Sequence, residues 1–149
     1  MLIESRPSSD PELVALLVAQ QRELREIGAG PPGQHVTPDD DGRYLVGVQA
    51  GRAVACGAIQ AVDRNVAEIR RMYVRPAHRG KGLGRQLLGA LEELALWSGH
   101  TVLRLETGRH LPRTIRLYVS AGYTEIPAYG AYAGNPSSVC FEKRLLVPA

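Results

Sequence analysis

The sequence predicts a mixed α/β fold of the α+β type, and three observations predict it. Hairpin-like strands come early, strand–helix–strand units fill the second half, and a glycine-rich loop opens directly onto an amphipathic helix. Hairpins make antiparallel ladders, whereas a strand that returns through a helix is set parallel to its predecessor. With 149 residues the chain is long enough for one core and short for two, so a single domain over 1–149 is expected. Apolar residues at 44% and charged residues at 22% exclude a disordered, collagenous or coiled-coil chain.

Residues 2–6 read as a first strand. Ser9-Asp10-Pro11-Glu12 then starts a helix: Ser or Asp can cap it, Pro11 suits its first turn, and Glu12 completes a capping box. Leu13, Leu16, Leu17, Leu24 and Ile27 keep helical spacing, and Gly28 is a natural stop. Residues 28–42, with three prolines, four glycines and the Asp39-Asp40-Asp41 run, form a loop long enough to be either a connector or a functional segment. Strands are expected at 43–49 and 53–62, joined around Ala50-Gly51, and at 67–74 after an Asp63-Arg64-Asn65 turn. Pro76 breaks the last of these. From 84 to 97 the pattern turns helical, with Leu87, Leu88, Leu91, Leu94 and Ala95 on one side and Trp97 read as helix packing. Gly99 ends that helix. A strand at 102–107, a helix at 111–120 stopped by Gly122, and a final strand at 139–146 complete the reading.

Composition narrows the function. The apolar run at 13–19 is too short to span a bilayer and follows Glu4, Asp10 and Glu12, so no membrane segment or signal peptide is predicted and a cytoplasmic address is expected. Cys56 and Cys140 are far apart and the four histidines lack ligand spacing, so no metal site is predicted. A net charge of +3 does not imply nucleic acid. However, Arg70, Arg71, Arg75, Arg79, Lys81 and Arg85 fall in one stretch without an acid. That stretch is either a solvated basic face or a site for a polyanion.

Gly80, Gly82 and Gly84 favour the second reading. Glycines let successive backbone N–H groups converge on an anion, and the following helix adds free N–H groups and its positive dipole end. Arg79, Lys81 and Arg85 stand beside them, and the ensemble describes a pyrophosphate cradle. A Walker A loop fails because Gly82, not Ser or Thr, follows Lys81. A dinucleotide fingerprint fits at Gly80 and Gly82 but meets Arg85 where its third glycine belongs. Glu106 stands at a ribose-binding distance for it, yet hairpins rather than a parallel unit come first. The dinucleotide reading is the lesser alternative.

Arg79-Gly80-Lys81-Gly82-Leu83-Gly84 resembles the R/Q-x-x-G-x-G/A coenzyme A signature of the GNAT superfamily of N-acetyltransferases. The Ala67-Glu68-Ile69 and Met72-Tyr73-Val74 strand, Leu105-Glu106-Thr107-Gly108 and the segment 117–123 follow in the superfamily's order, and 131–143 resembles a bacterial subgroup of unassigned acceptor. The match covers 43–146 well and the N-terminal third by layout. The resemblance implies a twisted, mostly antiparallel central sheet with splayed parallel strands, flanked by helices. It also implies acetyl-CoA as cosubstrate, no metal, and a homodimer as an assembly open to such proteins. The pantetheine arm would lie between strands 67–74 and 102–107, paired with backbone groups of Met72, Tyr73 and Val74. The pyrophosphate would lie on Arg79, Gly80, Lys81, Gly82, Leu83, Gly84 and Arg85. Where members often carry an Asn, this chain has Glu106-Thr107-Gly108.

The implied activity is direct acetyl transfer to a primary amine of a small molecule; a protein lysine or N-terminal acetyltransferase and a non-catalytic acyl-CoA sensor are the alternatives. The Val74 N–H, or less favourably that of Tyr73, would polarise the thioester carbonyl. Tyr118 resembles a tyrosine placed near the sulfur. A phenol at ~10 against a thiol at ~8.5 makes hydrogen-bond donation its role, and helix packing is the plain alternative. Glu68 leads as base, although a carboxylate at ~4.3 needs burial or a relay water to serve an ammonium near ~10. It reads equally well as a strand carboxylate paired with Arg70 or Arg71. Glu106 is a second base candidate, or the group that binds a cationic acceptor. Cys140 reads as a small core residue. Tyr129 and Tyr132, with Gly130, Gly134 and Pro136, form an aromatic loop that either walls the acceptor pocket or is a surface turn.

Overall fold

The structure, a computed structural model, describes residues 1–28 and 42–145. Among the described residues seven strands form one sheet: β1 Leu2–Arg6, β2 Arg43–Gln49, β3 Arg52–Ala61, β4 Val66–Val74, β5 Val102–Gly108, β6 Thr124–Ile126 and β7 Ser138–Arg144. Their order is β1-β2-β3-β4-β5-β7-β6. Every neighbouring pair is antiparallel except β4 and β5, which are joined through a helix. The mixed, mostly antiparallel sheet expected from the sequence is the one observed.

Helix α1, Pro11–Glu26, covers one face of the sheet, with Leu13, Leu16 and Leu17 against Tyr44, Val46, Cys56 and Tyr73. Helices α2, Leu83–Trp97, and α3, Pro112–Ser120, cover the other, where Leu87, Leu91 and Tyr118 meet Ile69, Leu103, Leu105 and Phe141. The period-two alternation of β2 shows the division: Tyr44 and Val46 join the first core, Leu45 the second.

The structure decides between the two cap candidates and corrects three further local readings. Asp10 alone caps α1, accepting from the Leu13 N–H at 3.0 Å. Glu12 does not close a capping box; its carboxylate takes the Ala53 N–H at 2.8 Å and ties α1 to β3. Trp97 does not pack: it is 89% exposed, because two residues past buried Ala95 it has rotated about 200° around the helix. The short β6, with Thr124 and Glu125 exposed, is too brief to show alternation and was not predicted. The 29–41 part of the predicted loop, including Asp39, Asp40 and Asp41, and the Leu146 end of the last predicted strand lie outside the described residues. Among the described residues no helix is long and apolar enough to cross a membrane.

Candidate active site

Strands β4 and β5 pair at only three positions, Val66↔Val102, Ala67↔Leu103 and Glu68↔Arg104. Beyond them β4 stays on β3 as far as Val74 while β5 stays on β7 as far as Gly108, so the two strands part. A β-bulge in the β3–β4 ladder lies just past this point. Cys56 pairs with Tyr73 and Ala58 with Arg70, which sets Arg71 and Met72 against Gly57 alone. Arg71 takes the left-handed region at φ 60°, a strained setting for a side chain. Gly57 makes room: a Cβ there would sit 2.7 Å from Met72 Sδ and 2.8 Å from Leu91 Cδ1.

The bulge also decides which way the β4 main chain points. The Arg75 N–H donates to the Val54 carbonyl at 2.9 Å, so by alternation Tyr73 also faces β3 and Val74 faces the split. Accordingly the Val74 carbonyl accepts from Arg79 Nε at 2.9 Å, outside the ladder. The Met72 carbonyl accepts from Gln20 Nε2 at 2.8 Å. Of the three backbone candidates, Met72 and Val74 therefore carry carbonyls outside the ladder. Tyr73 has its main chain in the ladder and its side chain buried under the Arg79 guanidinium, 5.6 Å from the ring centroid. Between the Val74 and Tyr73 N–H groups, it is Val74's that faces the split.

At the end of β4 the chain makes one 3₁₀ turn, Pro76–His78, and enters the glycine loop. Gly82, left-handed at φ 79°, occupies the cap position of α2 and has no side chain to cap it. The N–H groups of Leu83, Gly84 and Arg85 therefore lack intrahelical partners; the first such bond runs from Gln86 N–H to Gly82 C=O at 3.1 Å. A Cβ on Gly84 would lie 3.8 Å from Val74 and 3.5 Å from Leu117, so loop, strand end and α3 converge. Two of the three predicted cations are already engaged. Arg79 forks onto Glu23 of α1 at 2.8 and 2.6 Å, and that hydrogen bond with Glu23 holds its guanidinium more firmly protonated than usual. Arg85 reaches Ser120 at the end of α3, bonding its Oγ at 2.9 Å and its carbonyl at 3.0 Å. Lys81 is exposed and makes no ion pair with the described residues.

Glu68 stands where β4 and β5 part. Its side chain is 13% exposed; Oε2 accepts from Tyr129 Oη at 2.7 Å and Oε1 from Tyr132 Oη at 3.3 Å. Arg70 Nε lies 3.7 Å from Oε1, so the ion pair read from sequence exists with Arg70 beside the phenol contacts. The tyrosine loop thus folds back over the sheet. Its two rings stand perpendicular, 5.5 Å apart, with a bond from Asn135 N–H to the Tyr132 carbonyl at 3.1 Å bracing them. Burial, then the charges of Glu68 and Glu106, push the Tyr132 phenol up to about 12. Burial and the Glu68 hydrogen bond raise Tyr129 as well. Glu106 accepts from Ser138 Oγ at 2.7 Å and lies opposite Cys140 in the β5–β7 register. Glu68 and Glu106 share the α1 face by strand alternation, because Glu68 is in register with Arg104.

Tyr118 sits on the opposite side, in the α2–α3 core, edge-on to Tyr123 with centroids 5.6 Å apart. Burial raises its phenol, and its hydroxyl makes no hydrogen bond with the described residues. Cys140 is buried and its thiol is raised by burial and by Glu106, while burial pushes Cys56 up to about 12. Neither thiol is poised as a nucleophile. Sequence reasoning missed Gln20, Glu23 and Ser138, since no local pattern marks a residue whose partner is dozens of positions away.

A split sheet, with a bulge beside the split and a glycine loop and helix N-terminus at one end, is now matched by family. Residues 11–123 match the profile of the acetyltransferase (GNAT) family. The chain belongs to the GNAT family. Members use acetyl-CoA, so the chain is an acyltransferase. It is 39% identical over 107 residues to the IAA acetyltransferase of Azospirillum brasilense, covering 70% of this chain and 69% of that one. It is also 39% identical over 67 residues to the L-methionine sulfoximine/L-methionine sulfone acetyltransferase of Salmonella typhimurium, covering 43% and 39%. A Klebsiella pneumoniae structure described as an acyl-CoA N-acyltransferase superposes with a TM-score of 0.82 at 35% identity, covering 97% of each chain.

Proposed function

We propose that this GNAT protein moves the acetyl group of acetyl-CoA to a primary amine of a small molecule by direct attack. The observation that carries the proposal is Glu68, held by two phenols at the point where β4 and β5 part, with the Val74 N–H aimed into the same split. In this reading the acceptor ammonium gives a proton to Glu68, directly or through a water, and the free amine attacks the thioester carbon. The Val74 N–H donates to the carbonyl oxygen as negative charge develops there. The tetrahedral adduct then collapses and the C–S bond breaks; the departing sulfur, held by a hydrogen bond from Tyr118, takes up the second proton that the attacking nitrogen loses, which leaves a neutral amide and coenzyme A thiol. A phenol raised by burial is a poor acid and still a good donor, which suits that role.

Glu106, with Ser138 as its hydrogen-bond partner, is assigned the cationic end of the acceptor. The pyrophosphate is assigned to the N–H groups of Leu83, Gly84 and Arg85, which have no partner within the helix, with Gly80, Lys81 and Gly82 around it. A small acceptor is supported by what the Salmonella relative is named for. An acyl-cysteine route is disfavoured by the raised, buried Cys140.

Release of coenzyme A thiol, followed with acetyl-CoA and a panel of primary amines that includes L-methionine sulfone, tests the proposal. Amine-dependent thiol release accompanied by the N-acetylated product is expected. Tight acetyl-CoA binding with no release for any amine would instead favour a sensor.

A further inference from the structure

The Met72 and Val74 carbonyls, which turn away from β3, are already occupied, the first by α1 directly and the second by Arg79, which α1 holds. Gln20 Nε2 donates to the Met72 carbonyl at 2.8 Å. Arg79 Nε donates to the Val74 carbonyl at 2.9 Å, while its two terminal nitrogens fork onto Glu23 at 2.8 and 2.6 Å. Gln20 and Glu23 have no part in the transfer chemistry above. Yet one is an amide donor on a strand carbonyl, which is what a pantetheine amide would be. The other holds, through its carboxylate, the guanidinium fork that fits phosphate equally well.

We infer that Gln20 and Glu23 form a built-in latch on the donor site, Gln20 standing in for acyl-CoA on the Met72 carbonyl and Glu23 on Arg79, which itself covers the Val74 carbonyl, until the cosubstrate displaces them. The inference rests on the donor site proposed above. Its energetics suit a reversible contact. The Arg79 and Glu23 side chains are 39% and 32% exposed, so the pair is water-screened and exchanges readily for a phosphate group. The arrangement makes Gln20 and Glu23 positioning residues: they keep the strand carbonyls and Arg79 in place for a ligand that takes them over. It also means that donor binding frees the last turns of α1 from β4.

Calorimetric titration with acetyl-CoA tests the latch, using wild type, Gln20→Ala, Glu23→Gln, Arg79→Ala and the Glu23→Gln/Arg79→Ala double variant, each checked for folding by thermal melting. Gln20→Ala and Glu23→Gln are expected to tighten acetyl-CoA about two- to fivefold, the span of one exposed polar contact. The gain from Glu23→Gln is expected to vanish when Arg79 is already Ala. A gain that persists without Arg79 would mean that Glu23 merely repels the anion, and would overturn the latch. Unchanged or weaker binding in Gln20→Ala and Glu23→Gln would overturn it too; Glu23→Gln is isosteric and decides the matter if Gln20→Ala melts early. Failure of every variant to bind acetyl-CoA would instead contradict the donor site itself.

Discussion

At Glu68 each carboxylate oxygen accepts from a different phenol, so the group is fixed in place as well as charged. If it takes the acceptor's proton, Glu68→Gln lowers kcat/KM for amine acetylation by about 100-fold or more, the low end for general-base catalysis. Acetyl-CoA affinity stays unchanged, which calorimetry beside steady-state thiol release would show. The same contact predicts a spectroscopic effect. A phenolate is an anion, so the Glu68 charge opposes its formation, and Tyr132 is held at about 12 by burial first and that charge second. In Glu68→Gln the Tyr132 ring therefore ionises at lower pH, seen in tyrosinate absorbance with Tyr132→Phe marking its contribution. An unmoved titration would mean that the ring does not face the carboxylate. Glu68 was legible from its Ala67-Glu68-Ile69 setting. Its phenol partners were not, because 61 and 64 residues separate them from it.

Among the elements, β4 does most to create the site. Gly57 lies opposite its bulge, and Gly57→Ala puts a methyl 2.7 Å from Met72 Sδ and 2.8 Å from Leu91 Cδ1, so both side-chain ends must shift. Such overpacking costs about 1–3 kcal/mol, read as a lower urea midpoint, and it weakens acetyl-CoA because the Val74 N–H shifts with the strand. Gly82→Ala meets no neighbour but must hold φ 79°, so it costs about 1 kcal/mol through backbone strain alone. Comparing the two melts separates a packing fault from a conformational one. Helices and hairpins were legible because their periodicities are local: the 43–49 strand has its predicted ends, and the Ala50-Gly51 turn takes positive φ at both residues as a tight hairpin requires. The bulge was not, since only its pairing partner reveals the extra residue. Arg79 likewise announced itself by motif while its Glu23 partner, 56 residues back, did not.

Over the whole molecule, the buried Tyr118 and Tyr123 and the half-buried Tyr129 and Tyr132 link stability to alkaline pH. All four phenols are raised above the ordinary value, chiefly by burial. Below pH ~10 folded and unfolded chains both keep these protons; above it the unfolded chain loses them first and is favoured. Stability therefore falls as pH rises from ~10, with Tyr132's share gone by about 12. Urea midpoints measured upward from pH 8 should stay level and then drop, whereas a midpoint flat through pH 11 would contradict the burial of these rings. At this scale the sequence was most readable, because the order of hairpins, glycine loop and strand–helix–strand unit leaves few ways to build one sheet. The central claim is that the split between β4 and β5, with its glycine loop, is an acyl-CoA site. Calorimetric titration of the wild-type protein with acetyl-CoA, beside NADH and ATP at two salt concentrations, tests it most directly. Selective acetyl-CoA binding that weakens with salt is predicted; no acetyl-CoA binding, or a preference for NADH, would contradict it.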